Sequence, residues 1–158
     1  VGIHGQPSMF DGRMIPSTHL SGGLSAYRSE VFQKVRFDTV NGFFMLEDID
    51  FSTRAARMFG SHAFYINTGA MLEHAMSPVN RAVLGKKYER KLMEYTLFYK
   101  KNSDQPMALL NYIWLMIGLI LELGYESIRS INLNIFWSGV HGIVNGIRWR
   151  IKPLMDCH

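Results

Sequence analysis

Cysteine is almost absent from this chain. The one thiol, Cys157, lies next to the last residue of 158, which excludes an intrachain disulfide and any cysteine-based metal site. The scarcity fits a reducing compartment. Other signatures are missing too. There is no Gly-x-Ser-x-Gly elbow, phosphate-binding Walker loop, dinucleotide fingerprint or His-Glu-x-x-His pair. No nucleic-acid-binding motif occurs, and the basic residues form one block rather than a spread face, so nucleic acid is not expected as a partner. Long repeats and low-complexity tracts are lacking. No signal-peptide pattern opens the chain, and the first residue is Val1 rather than Met, so a processed protein and a fragment both remain open.

What is present points to one domain with a real core. Apolar residues make up 47% and aromatics 13%, too much for a disordered chain. The net charge of +4 is placed unevenly. Seven Lys/Arg and two Glu lie between Arg81 and Lys101, leaving the remainder close to neutral. A basic block beside an apolar tract suits an anionic membrane surface.

Residues 1–25 are rich in Gly, Pro and Ser and read as loop, with His4 and His19 at no ligand-type spacing. Ser29 reads as the N-cap of a short helix to Val35. The apolar run Gly42–Leu46 precedes Glu47-Asp48-Ile49-Asp50, and a helix is expected from Phe51 to Phe59, stopped by Gly60. His62–Ile66 reads as a strand, Asn67–Gly69 as a turn, and Ala70–His74 as a second strand. This order is α/β in character.

The C-terminal half is helical by pattern. Leu84, Tyr88, Leu92, Tyr95 and Tyr99 form a stripe on a helix expected from Asn80 to Lys101, with the basic block opposite. Gln105–Leu121 is uncharged for 17 residues, the lower edge of what spans ~30 Å of hydrocarbon. A second uncharged run, Ser130–Ile147, places Ser138, Gly142 and Gly146 every four residues, a face suited to close helix contact. The two runs read either as a membrane hairpin with both flanks cytoplasmic or as helices lying in the interface.

Three carboxylates within four residues suggest proton transfer or cation binding. The plainer reading makes Asp50 a helix cap, with Glu47 and Asp48 facing solvent. Asp48 fits that reading less well, because a carboxylate at the end of a buried segment is fixed and suited to act as a general base. His74, beside the helix start at Asn80-Arg81, is placed either to ligate a cation or meet a phosphate, or simply to end a strand.

Leu20–Arg28, Phe37-Asp38, Glu47–Arg54, Gly60, Tyr65 and Glu73-His74 with Ser77, taken in order, resemble the second half of family 2 glycosyltransferases. These are inverting, nucleotide-sugar-dependent enzymes of GT-A fold. The most similar subgroup transfers sugars such as rhamnose in bacterial cell-surface polysaccharide assembly. The likeness covers about residues 18–81. It implies Asp48 as the base that deprotonates the acceptor hydroxyl and Glu47 as the acid that shapes the acceptor site. Gly22 and Gly23 match the loop beside acceptor and donor sugar. Arg28 and Arg54 match positions that orient the carboxylates or the leaving diphosphate; Arg81 is a substrate-binding candidate on separate grounds, because its place at a helix start suits an anion. His74 matches a position that in some members contacts the metal or diphosphate.

The resemblance further implies a divalent metal (Mg or Mn), a nucleotide-sugar donor, a glycan or lipid-linked acceptor, and a place at the cytoplasmic face of the cell membrane. The nucleotide-binding half with its Asp-x-Asp metal motif has no room in this chain, so the main metal ligands are expected elsewhere and the 158 residues alone are expected to be inactive. Residues 1–80 are then the acceptor-side part of a GT-A domain, 81–104 a basic amphipathic helix, and 105–158 a membrane-associated helical tail. The rival readings are a non-catalytic membrane-surface or partner-binding module and, more weakly, a metal-dependent hydrolase using Glu47, Asp48 and His74.

Overall fold

The structure, a computed structural model, describes residues 12–20, 24–60, 62–71, 73 and 84–153. Among them it is mostly helical. Five helices, α1 (Ser29–Lys34), α2 (Glu47–Phe59), α3 (Leu84–Lys101), α4 (Ala108–Arg129) and α5 (Leu133–Arg148), accompany one two-stranded sheet, β1 (Met14–Ser17) and β2 (Phe64–Asn67). The α/β expectation is met only loosely. These residues fall into two units, one drawn from Val1–Asp38 and Glu47–Met76, the other from Thr39–Leu46 and Ser77–Leu154.

The first unit is built around Phe51, which is fully buried on α2. Phe37 stacks on it at 4.4 Å and Tyr27 meets it edge-on at 5.0 Å. Such pairs add to the area they bury. Val35, Ala55 and Phe64 complete the core. The apolar stripe expected of α2 holds at Phe51 and Ala55 but fades at Met58 and Phe59, which are exposed. Gly60 ends the helix with φ 93° and donates its N–H to Ala56 O at 2.9 Å, the left-handed stop its position suggested.

Four local expectations change. α2 begins at Glu47, four residues before Phe51, so the acids lie inside the first turns, where the helix dipole favours negative charge. Ser29 is the first residue of α1; the N-cap is Arg28, and no side chain caps the helix. Residues 14–17, read as loop, form a strand pairing antiparallel with β2, Met14 opposite Asn67 and Ser17 opposite Phe64. Pro16 is tolerated because a two-stranded ribbon has only edge strands. Ala70, Met71 and Glu73 are not in a strand, and His74 lies outside the described residues.

In the second unit α3, α4 and α5 pack around Tyr88, Leu92, Met116, Leu119, Leu123 and Ile135. The aromatic stripe of α3 is therefore packing: Tyr88 and Leu92 are buried, and Tyr99 stacks on Tyr112 at 4.3 Å. The small residues of α5 let it approach α3 closely. A Cβ on Gly146 would lie 2.7 Å from Thr96 Cβ and 2.9 Å from Met93 O, and one on Gly142 would collide with the Glu89 carbonyl. Ser138 sits against Gly85. Lys100 closes α5, its Nζ donating to the carbonyls of Gly146, Ile147 and Trp149 at 3.2, 2.8 and 2.6 Å.

Thr39–Leu46 joins this unit through side-chain brackets. Asn41 donates to Lys152 O at 2.9 Å and accepts from Lys152 N at 2.7 Å. Gly42 holds φ 78°, and a Cβ added to it would lie 3.8 Å from two atoms of the Trp149 ring. The helix read from Asn80 is described from Leu84 onward.

Candidate active site

The acidic turn is the first turn and a half of α2. With 3.6 residues per turn, Glu47, Asp50 and Arg54 run along one side and Asp48 is turned about 100° from Glu47. The three carboxylates are in different surroundings. Asp50 is buried and held by Arg54, whose Nε donates to Oδ2 at 2.9 Å with Nη2 at 2.8 Å from the same oxygen. It sits a turn inside the helix and is not its cap, as the plainer reading had it, because the helix starts before it. Its charge is matched by a largely buried guanidinium, which a carboxylate away from water requires.

Glu47 is half-buried. Its Oε2 is shielded from solvent and finds no hydrogen-bond partner among the described residues. Asp48 is also half-exposed, and its Oδ1 accepts the N–H of Ile49 at 2.8 Å. That bond fixes the carboxylate against the backbone, while partial exposure leaves it within reach of solvent or a substrate. Of the three acids, Asp48 is the one that is both partly exposed and bonded to a backbone N–H. Lower on α2, Ser52 accepts the N–H of Leu20 at 3.2 Å, tying the segment after β1 to this helix.

Arg54 is thus committed to Asp50, whereas Arg28 is exposed at the start of α1. Gly22, Gly23, His74 and Arg81 lie outside the described residues. Among the described residues no three His, Cys, Asp or Glu side chains gather as ligands of one metal ion.

The residue that sequence reasoning missed is Glu94 of α3. Its carboxylate is fully buried, and one oxygen, Oε2, accepts three consecutive backbone N–H groups: Phe44 at 3.1 Å, Met45 at 2.7 Å and Leu46 at 3.0 Å. Arg90 Nε stands 3.8 Å from Oε1, and its guanidinium carbon lies 4.5 Å from the centre of the Phe44 ring. Burial pushes the Glu94 carboxyl up from its ordinary range, and the three N–H groups and Arg90 pull it back only in part. The peptide held this way ends one residue before Glu47. A signal was available: Glu94 is one of only two acids inside the basic block. Its partners lie about 50 residues earlier, and no local pattern links them.

No protein-family model, curated protein or solved structure matches this chain.

Proposed function

We propose that this chain carries the acceptor side of an inverting glycosyltransferase, working at the cytoplasmic face of the cell membrane in cell-surface polysaccharide synthesis. The observation that supports it best is the sorting of the acidic turn. Asp50 is neutralised by Arg54, and Asp48 is left half-exposed with its carboxylate braced on Ile49. In the proposed step Asp48 takes the proton of an acceptor hydroxyl as its oxygen attacks the anomeric carbon. The new carbon–oxygen bond forms on the face opposite the departing nucleoside diphosphate, so the configuration inverts. Glu47 lines the acceptor side. The GT-A fold, the nucleotide-sugar donor and the glycan or lipid-linked acceptor belong to this reading. The Mg or Mn ion that neutralises the leaving diphosphate belongs to it as well, with its ligands beyond the described residues.

Incubating a full-length protein that joins this chain to the nucleotide-binding half the reading requires with a panel of nucleotide-diphospho-sugars, membrane lipid extract and Mg or Mn tests the class. Release of nucleoside diphosphate that depends on acceptor is the expected result. A protein that binds membranes but never consumes a sugar nucleotide would instead favour the second reading, a non-catalytic membrane-surface module, whose support is the uncovered apolar side of α4.

A further inference from the structure

α4 is 22 residues long, and its most apolar 18-residue stretch has a mean hydropathy of 1.6, yet only 17% of that stretch is buried by the rest of the protein. Its uncovered side is continuous. Leu110, Trp114, Leu121, Tyr125 and Ile128 fall along one line of the helix and are 56, 77, 69, 63 and 77% exposed. Patches of this kind on a protein surface mark contact with another apolar phase.

The opposite side of α4 decides how that phase is met. Tyr112 of α4 stacks on Tyr99 and bonds Thr96 at 3.0 Å, while Glu122 accepts from Tyr88 at 3.0 Å and Lys91 at 3.0 Å. α3 therefore runs antiparallel along the middle of α4, and Glu89, Arg90, Lys91 and Glu94 lie beside that stretch. A transverse α4 would carry these charges through the hydrocarbon, where they are strongly disfavoured. An α4 lying flat buries its outer side and leaves α3 in water. Basic residues stand near the ends of the two helices: Arg129, 3.8 Å from Glu126, follows Tyr125 by one turn of α4, and Arg148 is the last residue of α5, both exposed.

The turn between the two helices adds an independent observation. Ile131 is 95% exposed and holds φ 51°, a left-handed backbone that a β-branched side chain adopts only with strain. A turn serving the fold alone is better made with Gly or Asn. An Ile there is accounted for if its side chain enters an apolar phase.

We propose that the outer side of α4, with the Ile131 turn and Trp137, docks flat on an anionic phospholipid surface, the helix axis parallel to the bilayer plane. This rests on the membrane reading above and specifies its geometry and lipid class. The test uses the intact protein with Cys157→Ser and single spin labels introduced through Leu110→Cys, Trp114→Cys, Leu121→Cys or Ile128→Cys. Immersion depth is read on vesicles of phosphatidylcholine with and without phosphatidylglycerol. Four similar shallow depths are expected. Binding is expected to weaken by roughly five-fold for each basic side chain removed in Arg129→Gln and Arg148→Gln, the size of an anionic-surface contact. Depths that change stepwise along α4 would overturn the flat geometry while leaving membrane attachment intact. No binding to either vesicle, with the labels buried in a dimer in solution, would overturn both.

Discussion

Removing the Glu94 carboxylate is the sharpest test of how the segment before α2 is held. In Glu94→Ala three consecutive N–H groups lose their acceptor. Leu46 is buried, so its donor is left unsatisfied at about 1–3 kcal/mol. Phe44 and Met45 are partly exposed, and water replaces some of what they lose. The weaker losses at Phe44 and Met45 and the relief of the buried charge act in opposite directions, leaving a net destabilisation of about 1–3 kcal/mol. Glu94→Gln keeps an acceptor oxygen without the charge and should cost about 1 kcal/mol or less.

The pH dependence of the Glu94 variants has a defined sign. Burial raises the folded carboxyl above its unfolded value, so its contribution to stability is full below the ordinary carboxylate range and is lost as pH rises through the folded value. The amide does not titrate, so the deficit of Glu94→Gln should narrow from acid to neutral pH. Urea denaturation followed by circular dichroism at both pH values measures all of this. A Glu94→Ala loss no larger than that of Lys86→Ala, an exposed change on the same helix, would refute the reasoning.

Two further predictions concern the helices of the second unit. Gly142→Ala should destabilise by about 3 kcal/mol, because the new Cβ meets the Glu89 carbonyl and neither backbone yields easily. Gly118→Ala, with nothing within 4 Å of its new Cβ, should be neutral or stabilising by up to about 1 kcal/mol in the same melting experiment. Ile131→Asn should raise stability in solution by about 1 kcal/mol through relief of the left-handed strain. The same change should weaken vesicle flotation, a pair of opposite signs that a purely structural turn would not give.

Periodicity located α3, while the uncharged runs 105–121 and 130–147 marked α4 and α5; α4 nevertheless continues through Glu122 and Glu126 to Arg129, because both acids lie outside its buried side. The spacing of Ser138, Gly142 and Gly146 foretold the close side of α5, and Gly60 the end of α2. What sequence did not disclose depends on distant pairs. β1 needs a partner about fifty residues away, and a four-residue strand containing Pro16 has no local signature of its own. The start of α2 was placed late because the preceding N–H groups are satisfied by Glu94, far along the chain. Thr39–Leu46 joins the helical unit through Asn41 and Lys152, which are 111 residues apart. Within the acidic turn, spacing alone could not assign the three carboxylates. The Asp50–Arg54 pair sets one of them apart as a buried, charge-matched carboxylate.

The most direct measurement is the rate of sugar transfer by the full-length protein carrying Asp48→Asn, beside the wild type, once both show the same urea midpoint. The amide preserves the acceptor for the Ile49 N–H but cannot take a proton at neutral pH. Loss of a general base predicts a fall in kcat of about 10²–10⁴ with membrane binding unchanged. An Asp48→Asn protein that transfers sugar at the wild-type rate would contradict the account.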